Sequence, residues 1–364
     1  MKELFEMWDK REGGKVWVQQ ITDVTEMLAL MAISSAAFGR RLSWNKEAEV
    51  IPKGYKMSFR RALGIVSSSP VIRAIVPSWA DGLTEKWHTM SVAYAELMKH
   101  LQEMKAARRS EGKKDLGITV GEANGLLSST DNLFDILITA SDAEAAERAL
   151  SEEEVTGNAF IFLVAGHETT AHALAFSLGL LAIYPDVQEE VYSHIKSVIG
   201  MREVINYDDL SELKLVTGVF LEALRMYPVV MQVQKLAQED TILSVACNGS
   251  RANEYAREEF LVPANSLVYI SVLGMHYNPT YWPDPERFSP ARFAEPYNKD
   301  AFLAFSAGHR SCIGRKFAET EATVALAMLL ARYQISIDET KIPPIAGETA
   351  QVKTFRHHRA CPDG

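Results

Sequence analysis

The chain has 364 residues, of which 47% are hydrophobic and 23% charged, with a net charge of −9. This composition excludes a disordered or collagen-like chain, and the length allows one large domain or two. The acidic balance argues against a general nucleic-acid binder, which needs a basic excess to neutralise phosphates, so no nucleic-acid partner is expected.

The opening MKELFEMWDKREGG shows neither a charged-then-apolar leader nor a membrane anchor. From residue 16 the apolar residues fall at helical spacing and stop at Gly39, which predicts a helix. Two more helices are expected over 54–65 and 84–109. Between them VSSSPVIRAIVPSW is unusually apolar for a connector, through Ile72, Ile75, Val76 and Trp79. It reads either as a loop packed on the core or as a lid or membrane-facing patch.

At Ser151 a serine followed three residues later by Glu154 is a capping box. The helix it opens runs over 151–184 and ends before Pro185, nearly 50 Å at about 1.5 Å per residue. Consecutive apolar residues from Phe160 to Val164 make it apolar all round and therefore central. It is long enough for a bilayer, but ionisable groups at its middle favour a buried core helix. PDVQEEVYSHIKSVIG and YDDLSELKLVTGVFLEALRMYP follow as amphipathic helices. Then come β-type alternation over 262–273, the Pro- and aromatic-rich coil HYNPTYWPDPERFSPARF, and a last helix over 313–333. The expected fold class is mainly α with minor β, as one domain over 1–364.

Within the long helix, AGHETTAHA places two histidines, an acid and two alcohols where a core should be. A zinc helix of the H-E-x-x-H type needs its histidines one turn apart. His167 and His172 are five residues apart, which sets them roughly 140° apart around the helix, on different faces. Of the three cysteines, Cys247, Cys312 and Cys361, no pair has metal-type or disulfide-framework spacing, which points to a reducing intracellular compartment. Cys312 stands apart from the others, in FSAGHRSCIGR. It lies between Gly308 and Gly314 just before a helix start, where free backbone N–H groups and the positive dipole end suit an anionic sulfur. The glycines let a large flat ligand approach the backbone, and Arg310 can pair with a carboxylate on it.

The pattern F-x-x-G-x-R-x-C-x-G, filled by Phe305, Gly308, Arg310, Cys312 and Gly314, resembles the haem-thiolate loop of the cytochrome P-450 monooxygenases. A-G-x-E-T-T over 165–170 resembles the oxygen-activating segment of that family's central helix. The resemblance implies that Glu168 and Thr169 hold water and deliver protons, with Gly166 opening the helix beside the haem. Read alone, the threonine has an alternative: a bond to the carbonyl of the preceding turn. Glu222 and Arg225 match the family's E-x-x-R, which a later arginine locks into a charge triad. Arg287 in PERF and Arg292 in PARF both offer that arginine, and Arg292 is the expected partner. His276 is expected to bond either a haem propionate or the protein itself. Lys235 stands where the family often has an arginine, and would meet a propionate as a point charge.

The resemblance implies a haem b cofactor with Cys312 as the axial iron ligand, and an apolar small-molecule substrate. Electrons would come from NADPH through NADPH-cytochrome P-450 reductase, with cytochrome b5 as a second donor and Arg310, Arg315 and Lys316 as a basic docking face. It also implies an endoplasmic reticulum location and resembles eukaryotic microsomal, fungal members. The family's N-terminal helices and strands, with their Trp-x-x-x-Arg contact, have no counterpart here. The chain is therefore expected to be an N-terminally truncated form of the fold, either an incomplete version of an active enzyme or an inactive haem-binding or partner-binding remnant. The tail GETAQVKTFRHHRACPDG matches the family's closing hairpin poorly and reads as exposed filler.

Overall fold

The computed structural model describes residues 1–10, 14–39, 42–44, 51–67, 78–80, 82–115, 132–142, 149–246, 257–340 and 347. Residues 72–76 of the apolar connector, Cys247, Cys361 and the C-terminal tail lie outside them. Contacts divide the chain into two units, Met1–Ala175 and Phe176–Gly364.

In the first unit, α1 (Lys2–Asp9) buries Leu4, Phe5 and Trp8. Helix α2 (Ile21–Phe38) begins later than periodicity predicts, because residues 15–20 are not helical and Gln20 is extended. Val16, Trp17 and Val18 have only modest helix propensity. Its end is as expected: Gly39 takes φ +63° and donates its N–H to Ser35 O at 3.0 Å, a left-handed cap that glycine adopts without strain. Helix α3 (Phe59–Ser67) starts where the Ser58 hydroxyl accepts the Arg61 N–H at 3.2 Å, so residues 54–58 are a turn instead of helix. It packs along α4 (Glu85–Asp115), and α5 (Leu133–Asp142) packs on α2.

The capping box forms as read. Ser151 Oγ accepts the Glu154 N–H at 3.2 Å and Glu154 accepts the Ser151 N–H at 2.7 Å, opening α6 (Glu152–Ile183). Leu63, Leu97, Leu101, Phe134 and Leu163 are the fully buried centre of this unit's core. Helix α6 is not apolar-buried all round: Ile161 is 51% exposed, and Ala165 and Thr169, at successive turns below it, are open too. Buried Leu163, His167 and Thr170 lie on the other side. Among the described residues, α2 and α6 are long and apolar enough to span a bilayer, yet about half of each span, 56% and 44%, is buried in the fold.

The second unit continues with α7 (Pro185–Ile199). The next expected helix splits into a short turn at Tyr207–Ser211 and α8 (Lys214–Met226). Asp209 explains the break, because it takes a forked pair from Arg202 at 3.0 and 2.9 Å and caps the Asn206 N–H at 2.7 Å. Such local bonds compete with helix continuation. Helix α8 is buried along nearly its whole length.

Four strands follow: β1 (Gln232–Leu236), β2 (Thr241–Ala246), β3 (Arg257–Val262) and β4 (Leu267–Ser271). β1 pairs antiparallel with β4, and β2 with β3, as two separate ribbons. A one-turn helix, α9 (Val272–His276), leads into the coil, and α10 (Arg315–Leu330) closes the unit. On α10 both carboxylate oxygens of Glu321 are buried without a hydrogen bond, and burial pushes its pKa up to about 8. The fold is mainly helical with minor sheet.

Helix α8 meets the coil at Gly218, where an added Cβ would stand 2.4 Å from Pro290 O. Backbone cannot retreat as a flexible side chain can, so Gly218→Ala is expected to cost at least about 3 kcal/mol. Denaturant unfolding that leaves the midpoint unchanged would show that the coil is free to move.

Candidate active site

Glu222 and Arg225 lie one turn apart on α8 and both are fully buried. Arg225 donates Nε to Glu222 Oε2 at 2.7 Å and Nη2 to Oε1 at 2.9 Å, a forked pair. Its remaining reach goes to backbone: Nη1 to His276 O at 2.8 Å and Nη2 to Pro285 O at 2.7 Å. Glu222 Oε1 also accepts the Ser289 N–H at 3.0 Å and Arg292 Nε at 3.2 Å. Arg292 then donates to Asp284 O at 2.8 Å. Of the two candidate arginines, Arg292 sits on Glu222. Arg287 has only a backbone turn bond to Asp284 among the described contacts. Two buried charges are tolerable here because they face each other and four of the five Arg225 N–H donors and both Glu222 oxygens are hydrogen-bonded.

His276 extends this clamp toward the cysteine. Its Nδ1–H donates to Arg225 O at 3.0 Å, and Nε2 accepts the Leu303 N–H at 2.9 Å, so the tautomer is set by its partners. The Phe302 ring stacks on it at 5.2 Å. Of the two expected roles, the structure gives the bond within the protein. Burial lowers its pKa to about 4, with the adjacent Arg225 charge acting in the same direction. The unfolded chain binds the extra proton below about pH 6.5, so stability is full above that pH and falls as pH drops toward 4. His276→Gln is expected to flatten that acid limb of a urea-midpoint against pH profile. An unchanged limb would assign it to other groups.

Two residues past Leu303, Phe305 O accepts the Cys312 N–H at 2.8 Å, pinching 305–312 into a loop. Ser306 and Gly308 carry positive φ, 58° and 74°. No atom stands within 4 Å of where a Gly308 Cβ would be, so backbone turn geometry is the reason for this glycine. A Cβ on Gly314 would sit 3.9 Å from Cys312 Sγ. The guanidinium of Arg315 covers the Phe305 ring at 5.2 Å and bonds Glu319 at 2.8 Å, which ties the start of α10 to the loop. Arg315 is thus already engaged, whereas Arg310 and Lys316 are exposed. Cys312 is a free, exposed thiol beside Ile313, which is 86% exposed.

An exposed apolar residue beside an open thiol at a helix start suits a flat apolar ligand carrying a metal. Among the described residues no three His, Cys, Asp or Glu side chains gather, so the lone sulfur suits a metal held mainly by its own organic ligand. On that test the residues fit haem. Lys235 is exposed on β1 opposite Val268.

In the first unit, the polar residues of α6 all turn back on their own helix. His167 Nδ1 bonds Leu163 O at 2.8 Å, Thr169 bonds Ala165 O at 2.8 Å, Thr170 bonds Gly166 O at 3.0 Å, and His172 Nδ1 bonds Glu168 O at 2.8 Å. Thr169 is exposed and Thr170 buried, so the two alcohols are not equivalent. The Glu168 carboxylate takes no hydrogen bond from any described residue, and the side chain is half-buried. Gly166 serves packing: a Cβ there would press to 3.2 Å from Ile33 on α2.

Residues 1–358 match the family model described as Cytochrome P450. Cytochrome P450 monooxygenase 124 of Postia placenta is 40% identical over 354 residues, which are 95% of this chain and 63% of that protein. Leukotriene-B4 omega-hydroxylase 3 of Mus musculus is 34% identical over 218 residues, 58% of this chain and 39% of its own. A solved cytochrome P450DA heme domain superposes with a TM-score of 0.67 at 26% identity, covering 90% of this chain and 64% of that one. The chain spans less than two thirds of the length of each.

Proposed function

Since the chain belongs to the cytochrome P450 family, we propose that it is a haem-dependent monooxygenase, inserting one atom of dioxygen into an apolar small molecule and reducing the other to water. NADPH would supply the two electrons through a reductase at the endoplasmic reticulum membrane. The observation that carries this reading is the exposed Cys312 thiol on a loop tied, through Leu303 and His276, to the buried Glu222–Arg225 pair.

Cys312 would hold the haem b iron, with Phe305, Gly308 and Gly314 shaping the loop so that a flat ligand can approach it. Arg310 and Lys235, both exposed cations, would meet the propionates. Bound haem supplies the one-electron and dioxygen chemistry that side chains lack. Thr169 presents its hydroxyl on the open face of α6 while anchored to Ala165 O, which leaves its oxygen lone pairs free to hold a water. Glu168 beside it, with no described partner for its carboxylate, can pass a proton to that water. The likeness to the mouse leukotriene-B4 omega-hydroxylase supports an apolar, chain-like substrate.

The reading is tested by the carbon monoxide difference spectrum of the reduced, haem-reconstituted chain. A Soret band shifted far to the red, as a thiolate opposite carbon monoxide produces, is the expected result; a band typical of nitrogen ligation would overturn it. Thr169→Ala is expected to divert electrons, raising the share of NADPH consumption recovered as hydrogen peroxide by about tenfold with arachidonate as probe. Unchanged peroxide yield would remove Thr169 from proton delivery.

A further inference from the structure

Half of the chain's six tryptophans line one small cleft in the first unit, away in sequence from every residue assigned above. Trp8 is its buried floor on α1, half-buried Trp44 is one wall, and Trp17 stands at the rim with 55% of its surface exposed. The Trp44 wall is fixed to α1 because its backbone N–H is donated to Glu3 Oε2 at 2.9 Å. The exposed part of the Trp17 indole, next to Trp8 and Trp44 in one lining, offers aromatic surface on which a flat ring can stack. Two opposite charges share the lining, Asp23 on α2 and Arg60 on α3, and no described residue forms an ion pair with either. They have not neutralised each other, so both are available to a ligand.

We propose that this cleft binds a small aromatic zwitterion: a flat ring stacked among the indoles, an amine facing Asp23 and a carboxylate facing Arg60. The ring gains dispersion and quadrupole contact with tryptophan faces, and the ammonium gains from both Asp23 and the indole π-systems. A guanidinium suits the carboxylate, which it can take in a forked pair. Size selects the class, because a cleft of about 270 Å³ is just below the range of drug-sized sites and admits one ring system with its substituent.

The test titrates the full chain with L-phenylalanine while following tryptophan emission at an excitation wavelength that the ligand does not absorb. The expected result is a saturable change, weakened at least tenfold in each of Trp17→Ala, Asp23→Asn and Arg60→Gln. Phenethylamine and 3-phenylpropionate, each lacking one charge, are expected to bind at least tenfold more weakly. Trp17 and Asp23 are exposed, so those variants should keep the wild-type circular dichroism. No saturable response, a response indifferent to the three substitutions, or equal binding of a one-charge analogue would each overturn the proposal.

Discussion

Replacing Cys312 with alanine is expected to abolish the red-shifted carbon monoxide band and all oxidation product while leaving the fold intact. The Cys312 side chain is exposed and contributes no described hydrogen bond, and the loop is pinned by its backbone N–H to Phe305 O, which alanine retains. Thermal stability should therefore change by no more than about 0.5 kcal/mol, as for other exposed positions. Cys312 is also the free cysteine of the described residues, so no other described thiol can take its place. Serine is expected to fail as well, because an alcohol oxygen does not match the electron donation of a thiolate. A variant that still shows the thiolate band, or still turns over, would show that the ligand lies elsewhere.

The second large effect is on stability. Arg225→Met is expected to cost about 3–5 kcal/mol, because it leaves Glu222 buried with its forked partner gone and leaves the carbonyls of His276 and Pro285 unsatisfied. In a chain of 364 residues that is a fall of roughly 4–7 °C in Tm. Arg225→Lys should rescue little: three arginine nitrogens make four bonds in different directions, and one ammonium cannot reproduce that fork. Arg292→Ala should cost far less, since its guanidinium is at the edge of the network and partly open to water. Replacing Glu222 and Arg225 together with apolar residues should cost less than the sum of the single changes, because neither charge is then stranded. An Arg225→Met variant that melts within a degree or two of wild type would mean the clamp adds nothing to the fold.

Local signals were the legible part of this protein. The Ser151–Glu154 box and the Gly39 stop each act through bonds within a few residues, and both formed as their sequence implies. The cysteine loop was legible for the same reason, as ten contiguous residues with particular backbone demands. What the sequence concealed depends on partners far along the chain. Asp209 looks like an ordinary helix-start acid until Arg202 reaches it. Gly218 looks like a weak point in a helix until Pro290 arrives, 72 positions later, at 2.4 Å from its missing Cβ. His276 had two readings because a histidine's role is set by what faces each nitrogen, and those groups come from positions 225 and 303. The consecutive apolar residues of α6 suggested burial on every side, but periodicity cannot say which face a neighbouring element leaves open.

Glu321 on α10 gives the protein an unusual proton inventory. Its carboxyl stays protonated up to about pH 8 in the folded chain but ionises near its ordinary value, 4.5, once unfolded. Between those limits the folded state holds a proton that the unfolded state has released, so this group's contribution to stability falls as pH rises through the window. This one carboxyl therefore takes up a proton when the chain folds near neutrality, and its share of the folding heat includes the ionisation enthalpy of whatever buffer gives up that proton.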